Sequence, residues 1–282
     1  MFTFGNERCD AMSRMLILQL ERFGRLSSEE KLALTGAASR PRYLGRRLEL
    51  PREEGRRDLT NVLLAGFACR YAVLPSGRRQ ILAYLLPGDF FDRLATDLFF
   101  SDHSIGTLSA VNVGSYAREE LVCLGRRFPR IARAFELTGA VEQATLRQWL
   151  LSVGHRHALE RTAHLLCELF TRLFSLGLVH DGVCEIPMRQ TDVADALAIS
   201  PVHLNRVLME IRRRKLATFV DHQLLMEDFR ALQLLCGFEP QYLFGGSLPP
   251  DHLPISVADD RDIQRPVESS GPITSPAELS RR

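Results

Sequence analysis

The sequence predicts an α+β chain, and three features in the order of its residues carry that expectation. Phe67 to Leu86 alternates side-chain character on either side of a Pro75-Ser76-Gly77 turn, the period of an antiparallel hairpin. Pro129 to about Gly154 repeats apolar residues at three- and four-residue spacing, the period of a long helix. Gln190 to Leu216 reads as two short helices around a tight turn.

The bulk properties agree with a globular protein. With 282 residues and 45% hydrophobic content the chain can build two cores. No run approaches the roughly 18 to 20 apolar residues of a membrane span, and the N-terminal MFTFGNERCD carries acids and lacks a secretory apolar stretch. A cytoplasmic protein with no membrane partner is expected. The six cysteines (Cys9, Cys69, Cys123, Cys167, Cys184, Cys236) are scattered without a C-x2-C pair, so reduced thiols are expected. The net charge of +2 excludes a general nucleic-acid coating protein, because any basic character must be local.

Taken in order, Phe67, Cys69, Tyr71 and Val73 alternate with Ala68, Arg70, Ala72 and Leu74 as a first strand. Arg79 to Leu86 forms a second, and Pro87-Gly88-Asp89 turns the chain again. A further strand pair across Gly106 to Tyr116 completes a compact β region over about Arg40 to Leu124. The long helix carries a stripe of Leu137, Val141, Ala144, Gln148 and Leu151. That stripe either pairs with a second copy as a short coiled coil or packs on its own β region; spacing leaves both open. A break is expected near Ser152 to His157, then a helix from about Ala158 to Leu176. From Pro240 onward the chain holds seven of its fourteen prolines with much Ser, Gly and Asp, and a disordered tail over 240–282 is expected.

The second short helix has an explicit start: Ser200 as N-cap and Pro201 at the first helical position. At about 100° per residue, Leu204, Val207, Leu208 and Ile211 share one stripe. Val202, Arg206, Met209 and Arg213 lie opposite, flanked by His203 and Asn205. From Ser200 to Leu216 five Lys/Arg stand against one acid, a local net charge of +4, and a phosphate backbone is the obvious partner. In the first short helix Val193, Ala194 and Leu197 share a face, with Gln190, Thr191 and Asp192 near its start. The alternative is an ordinary helical hairpin whose basic residues form a solvated face.

With its flanks, this segment resembles a known family. Ala158 to Leu225, with the core QTDVADALAISPVHLNR, is similar to the winged helix-turn-helix of the Crp/Fnr family of bacterial transcription regulators. Leu216-Ala-Thr-Phe-Val220 would be the first wing strand, Asp221-His222 the tip and Leu224-Leu225 the return. GRRQILAYLLPGDFF (Gly77 to Phe91) resembles part of the family's cyclic-nucleotide-binding-like β-roll, a jelly-roll-like sensor, and the long helix its dimerisation helix. The resemblance implies a β-roll with N-terminal helices over 1–128, a dimerisation helix over 129–154 and a DNA-binding domain over 155–229. It implies a homodimer on an inverted repeat of double-stranded DNA, with RNA polymerase as a partner if the protein activates. Val202, His203, Asn205 and Arg206 would stand at base edges, with Arg206 the candidate for a bidentate guanine contact, while Gln190, Thr191 and Ser200 would touch phosphates. Ala198 stands where the family usually has Gly, and Pro201 and Val202 stand where it has polar residues. Pro201 and Val202 can offer apolar contact alone.

No cofactor is expected. In cyclic-nucleotide-binding relatives an arginine of a short cassette holds the phosphate. Here PGDFF is followed by Asp92-Arg93, and the cassette's triplet falls at Ser101-Asp102-His103, an acid and no arginine, which argues against cyclic AMP. Cys9 stands alone where iron–sulfur members cluster their cysteines, so no such cluster is expected. His103 as a haem or metal ligand competes with the commoner structural role of a lone loop histidine. His155 and His157 sit two apart, facing different sides of a helix. A cupin-type enzyme would need His-x-His on its strands, yet residues 59–90 contain no histidine. Nor is there a Gly-rich phosphate loop or a G-x-S-x-G elbow, so no enzyme is expected. The alternative function is a ligand-binding or protein-interaction module that keeps the fold without binding DNA.

Overall fold

A computed structural model describes residues 6–39, 41–50, 59–91 and 103–244. Two helices, α1 (Asn6–Glu21) and α2 (Ser28–Ala37), precede the strands β1 (Arg42–Leu44), β2 (Leu59–Ala65), β3 (Ala68–Val73), β4 (Arg79–Leu85), β5 (Phe90–Phe91), β6 (Ser104–Thr107) and β7 (Val111–Ala117). These strands form one sheet of order β1-β7-β2-β5 and another of order β4-β3-β6. Leu63, Ala68, Leu85, Phe91, Ile105, Val111 and Val113 form one buried cluster that joins the two sheets into a roll.

The expected hairpin is present: β3 pairs with β4 from Ala68↔Leu85 to Val73↔Arg79, with the turn at Pro75-Ser76-Gly77. The expected strand pair across Gly106 to Tyr116 is corrected. Both strands exist, but β6 pairs with β3 while β7 lies between β1 and β2. The reason is in their connection. The N–H groups of Leu108 and Ser109 both donate to Phe67 O, so Leu108 to Ala110 carry the chain from one sheet to the other instead of closing a tight turn. The β region also stops short of Leu124, because α3 (Arg118–Arg127) is a helix. Glu119 and Glu120 in its first turn and Arg126 and Arg127 in its last complement the helix dipole.

The long helix is α4 (Pro129–His155), started by Pro129 at the first turn. Ile131 and Ala134 pack with Leu16, Leu20, Val62 and Tyr116 against the roll. Arg156 is extended, and α5 (Ala158–Ser175) begins where the Glu160 carboxylate accepts the His157 N–H at 3.0 Å. The C-terminal unit adds β8 (Val179–His180), β9 (Val183–Glu185), α6 (Gln190–Leu197), α7 (Pro201–Arg213), β10 (Ala217–Val220), β11 (Gln223–Met226) and α8 (Phe229–Cys236). Its four strands form a sheet of order β10-β11-β9-β8, of which the family resemblance implied the β10–β11 pair alone.

The expected disorder from Pro240 onward is corrected at its start. Pro240–Phe244 is a 3-10 turn whose Leu243 and Phe244 are buried. Tyr242 Oη donates to Glu168 Oε2 at 2.9 Å, and its ring stacks on His164. Five residues rich in aromatic and apolar side chains close over α5, and the composition of the following polar stretch hid them. The rest of that expectation, residues 245–282, lies outside the described residues, as do Cys9's side chain and Asp92, Arg93, Ser101 and Asp102, on which the cyclic-nucleotide argument rested. Among the described residues no helix is long and apolar enough to cross a membrane.

Polar networks tie the C-terminal unit to the roll and to α4. Asp89, in the Pro87-Gly88-Asp89 turn, accepts from Leu86 N–H at 2.8 Å, Gln19 Nε2 at 3.0 Å and Arg172 Nη2 at 2.5 Å. Arg172 Nη1 donates to Tyr84 O. Beneath it, the fully buried Glu168 carboxylate accepts from Trp149 Nε1 at 3.1 and 3.2 Å and from Tyr242. Helices α4 and α5 and the 3-10 turn thus meet on one carboxylate. Burial pushes that carboxyl above its ordinary range, while Arg172, Tyr242 and Trp149 pull it back.

Candidate nucleic-acid interface

The two short helices form as the residue pattern requires. Ala198 ends α6 in the left-handed conformation, φ 52°, the position where a glycine costs nothing. Ser200 Oγ accepts the His203 N–H at 3.2 Å, and Pro201 opens α7. Leu204, Val207, Leu208 and Ile211 are buried, and Ala194 of α6 is fully buried in the same core cluster. An alanine there lets the helices cross closely. Replacing Ala198 by glycine removes a left-handed strain of about 1–2 kcal/mol but adds unfolded-state entropy. The expected net gain is up to about 1 kcal/mol, read as a higher urea midpoint at unchanged slope.

All eight residues singled out for DNA contact lie on the surface: Gln190 and Thr191 at the start of α6, Ser200 at the cap, and Pro201, Val202, His203, Asn205 and Arg206 along the first turns of α7. Ser200, Val202, His203 and Arg206 line one open groove of about 430 Å³ beside α7, together with Leu159, Val207 and Glu210. Val202 is 65% exposed. A possible internal use of Arg206, an ion pair with Glu210, is not made. Glu210 is taken by Arg213 at 2.8 Å and Arg214 at 2.7 Å, whose hydrogen bonds hold its carboxyl down at about 2. Arg206 makes no ion pair among the described residues and projects its charge outward.

The wing closes through Asp221 and His222, both at positive φ (50° and 65°), a two-residue loop matched to strand twist. His222 Nδ1 lies 2.9 Å from Met188 O, so the wing tip is pinned to the segment that leads into α6. From the other side the β4 strand holds α6. Arg79 pairs with Asp192 and with Asp195, the latter at 2.9 Å, Gln80 Nε2 donates to Ala196 O, and Tyr84 Oη donates to Asp192 O. Partial burial works against the Arg79 charge, and the hydrogen bonds to the two aspartates more than offset it, raising the guanidinium above its ordinary value. The sequence gives no signal for these partners, which lie more than a hundred positions apart.

The stripe on α4 divides. Val141 is buried inside the chain, Leu137, Ala144 and Gln148 are half-buried, and Leu151 is exposed. Gln148 accepts from Arg156 through both its backbone and side-chain oxygens. The most exposed apolar side chains of α4 are Leu146 and Leu150 (56% and 72%), followed by Leu151 and Val153. His155 and His157 are both exposed. Among the described residues no three His, Cys, Asp or Glu side chains gather as a metal site requires.

Comparison with known proteins bears on this geometry. Residues 160–235 match the family of Crp-like helix-turn-helix domains. The chain is 30% identical over 178 residues to the nitrogen fixation regulation protein FixK of Bradyrhizobium diazoefficiens, a match covering 61% of this chain and 73% of that protein. It is 30% identical over 164 residues to the transcriptional activatory protein AadR of Rhodopseudomonas palustris, covering 58% and 67%. Among solved structures, FixK2 from Bradyrhizobium japonicum superposes with a TM-score of 0.61 at 23% identity, over 70% of this chain and 96% of that one.

Proposed function

The chain belongs to the Crp/Fnr family of transcription regulators, and from that premise we propose that it binds an inverted-repeat DNA site as a homodimer. The observation that carries this reading is the open face of α7, where Arg206 stands uncommitted because Glu210 is spent on Arg213 and Arg214. The two α7 helices of a dimer enter successive major grooves about 34 Å apart. Arg206 reads a guanine through a two-pronged contact, and His203 and Asn205 meet neighbouring base edges. Pro201 and Val202 offer methyl-rich surface to a thymine. Gln190, Thr191 and Ser200 touch phosphates and set register.

The dimer seam runs along α4. Val141 is used inside the chain, so the face offered to a second copy passes through Leu146, Leu150 and Val153 at i, i+4, i+7 spacing, with Leu151 on its flank. The roll acts as the sensor, and its signal reaches the reading helices through the β4–α6 contact. Where the protein activates, RNA polymerase is its further partner.

Recovery of genomic fragments bound by the purified protein, followed by binding measurements on the recovered site, tests the reading. Arg206→Ala is expected to relax preference at one base pair per half-site, at a cost of about 1–3 kcal/mol. A variant with unchanged sequence preference removes Arg206 from base reading. Failure of the wild-type protein to prefer any duplex favours the alternative, an interaction module that kept the fold.

A further inference from the structure

A cleft of about 300 Å³ lies between the roll and the start of α6. Its walls hold Arg46 and Arg47 from the turn after β1, Arg79 from β4, and Arg189 and Thr191 from the mouth of the helix-turn-helix. The cationic groups differ in what they are already doing. Arg79 is committed to Asp192 and Asp195. Arg46 spends its Nε on Leu108 O at 3.0 Å, which directs the chain and leaves its terminal nitrogens without a bond among the described residues. Arg47 and Arg189 are exposed and make no ion pair there. Arg47 is held by its backbone, at φ 61° with its N–H donating to Thr107 O at 3.1 Å.

Two acids also line the cleft. Asp192 is taken by Arg79 and by the Arg189 backbone N–H at 2.9 Å. Glu49 is exposed and sets its carboxylate near the Tyr71 hydroxyl, whose pKa it helps burial to raise. Three guanidinium groups therefore face solvent without an ion pair among the described residues, against one exposed carboxylate, in the cleft that Thr191 also lines.

We propose that Arg46 and Arg47 of the roll, together with Arg189, hold the phosphates of DNA flanking the inverted repeat, extending the interface from the helix-turn-helix onto the sensor half. The inference rests on the DNA-binding reading above. Guanidinium groups suit phosphate oxygens, and a duplex whose major groove accepts α7 runs its backbone past the start of α6. Because the cleft has one wall on each half of the chain, bound DNA then favours this placement of roll and reading head over any other. Reciprocally, anything that moves the roll changes affinity for flanking DNA.

The test uses the full chain and the Arg46→Ala/Arg47→Ala double variant, with two duplexes: the recovered inverted repeat with long flanks, and the same repeat trimmed at its ends. Both arginines are exposed, and an unchanged melting curve verifies that the variant folds. Wild-type protein is expected to bind the long duplex about tenfold more tightly than the trimmed one, an advantage the double variant loses. The slope of log affinity against log salt should shrink by about 0.9 for each phosphate released. Non-specific duplex should weaken by the same factor, because phosphate contacts carry no sequence information.

Equal affinity and salt slope for wild type and double variant on the long duplex would overturn the proposal while leaving the DNA-binding reading intact. A loss of equal size on both duplexes would also overturn it. So would tight binding of inorganic pyrophosphate that the double variant abolishes while DNA binding is unchanged, since the cleft would then be a small-anion site. A wild-type protein that binds no duplex specifically would end both readings together.

Discussion

Glu168→Ala is expected to lower stability by about 3–5 kcal/mol, the cost of breaking a buried charged network by deleting one member. The substitution leaves Trp149 Nε1–H and Tyr242 Oη–H without acceptors in a buried junction and takes the carboxylate at 3.8 Å away from Arg172. Chemical denaturation of the full chain measures it, and a loss below about 1 kcal/mol would mean that the junction rearranges freely. Glu168→Gln separates shape from charge, since the amide oxygen still accepts a hydrogen bond. The pH dependence gives the sign. Burial raises the folded-state value of Glu168 above its ordinary 4.5. Its stabilising contribution is therefore complete below that value and is lost as pH rises through the raised one. Wild type should thus lose ground against Glu168→Gln between acidic and neutral pH. A gap that widens in favour of wild type over that interval would show that Arg172, Tyr242 and Trp149 outweigh burial.

Glu168 also illustrates what the sequence could and could not disclose. Local patterns were legible: the Ser200-Pro201 start of α7, the buried Leu204, Val207, Leu208 and Ile211 and the β3–β4 hairpin all arise within a few residues of their signals, while the wing followed from the family resemblance. Pairings between distant segments were not. The strands within Gly106 to Tyr116 were visible as strands, but their partners were set by the crossover at Leu108 to Ala110, which leaves no periodic mark. Arg79, Glu168 and Arg172 look like ordinary surface charges on a strand and a helix until the fold brings them to partners 19 to 116 positions away. The candidate interface was legible where it is one contiguous helix. Arg46 and Arg47, which share a cleft with Thr191, were not, because nothing in a sequence joins positions so far apart. The α4 stripe shows the intermediate case: periodicity identified the helix, while the division between its inward and outward faces depended on what the roll covers.

Gly88→Ala carries the second large expected effect, about 2–5 kcal/mol, from two additive sources. Gly88 sits at φ +93°, where an L-residue is strained by about 1–2 kcal/mol. An added Cβ would also lie 2.2 Å from Gln19 Cγ and 2.6 Å from Met15 O, so α1 would have to move, an overpacking cost of about 1–3 kcal/mol. The effect matters beyond stability, because the next residue is Asp89, which holds Gln19 of α1 and Arg172 of α5 at once. Lifting α1 off this turn loosens the support of the salt link that joins the roll to the DNA-binding unit. Combining Gly88→Ala with Gln19→Ala partitions the cost. The second change removes the yielding Cγ contact but neither the backbone carbonyl of Met15 nor the φ strain, so it should recover part of the loss and not all of it. Full recovery would place the whole penalty on the Gln19 side chain. No loss in the single variant would mean that α1 does not pack against the turn in solution, and hydrogen exchange along Met15 to Gln19 would then show the helix already open.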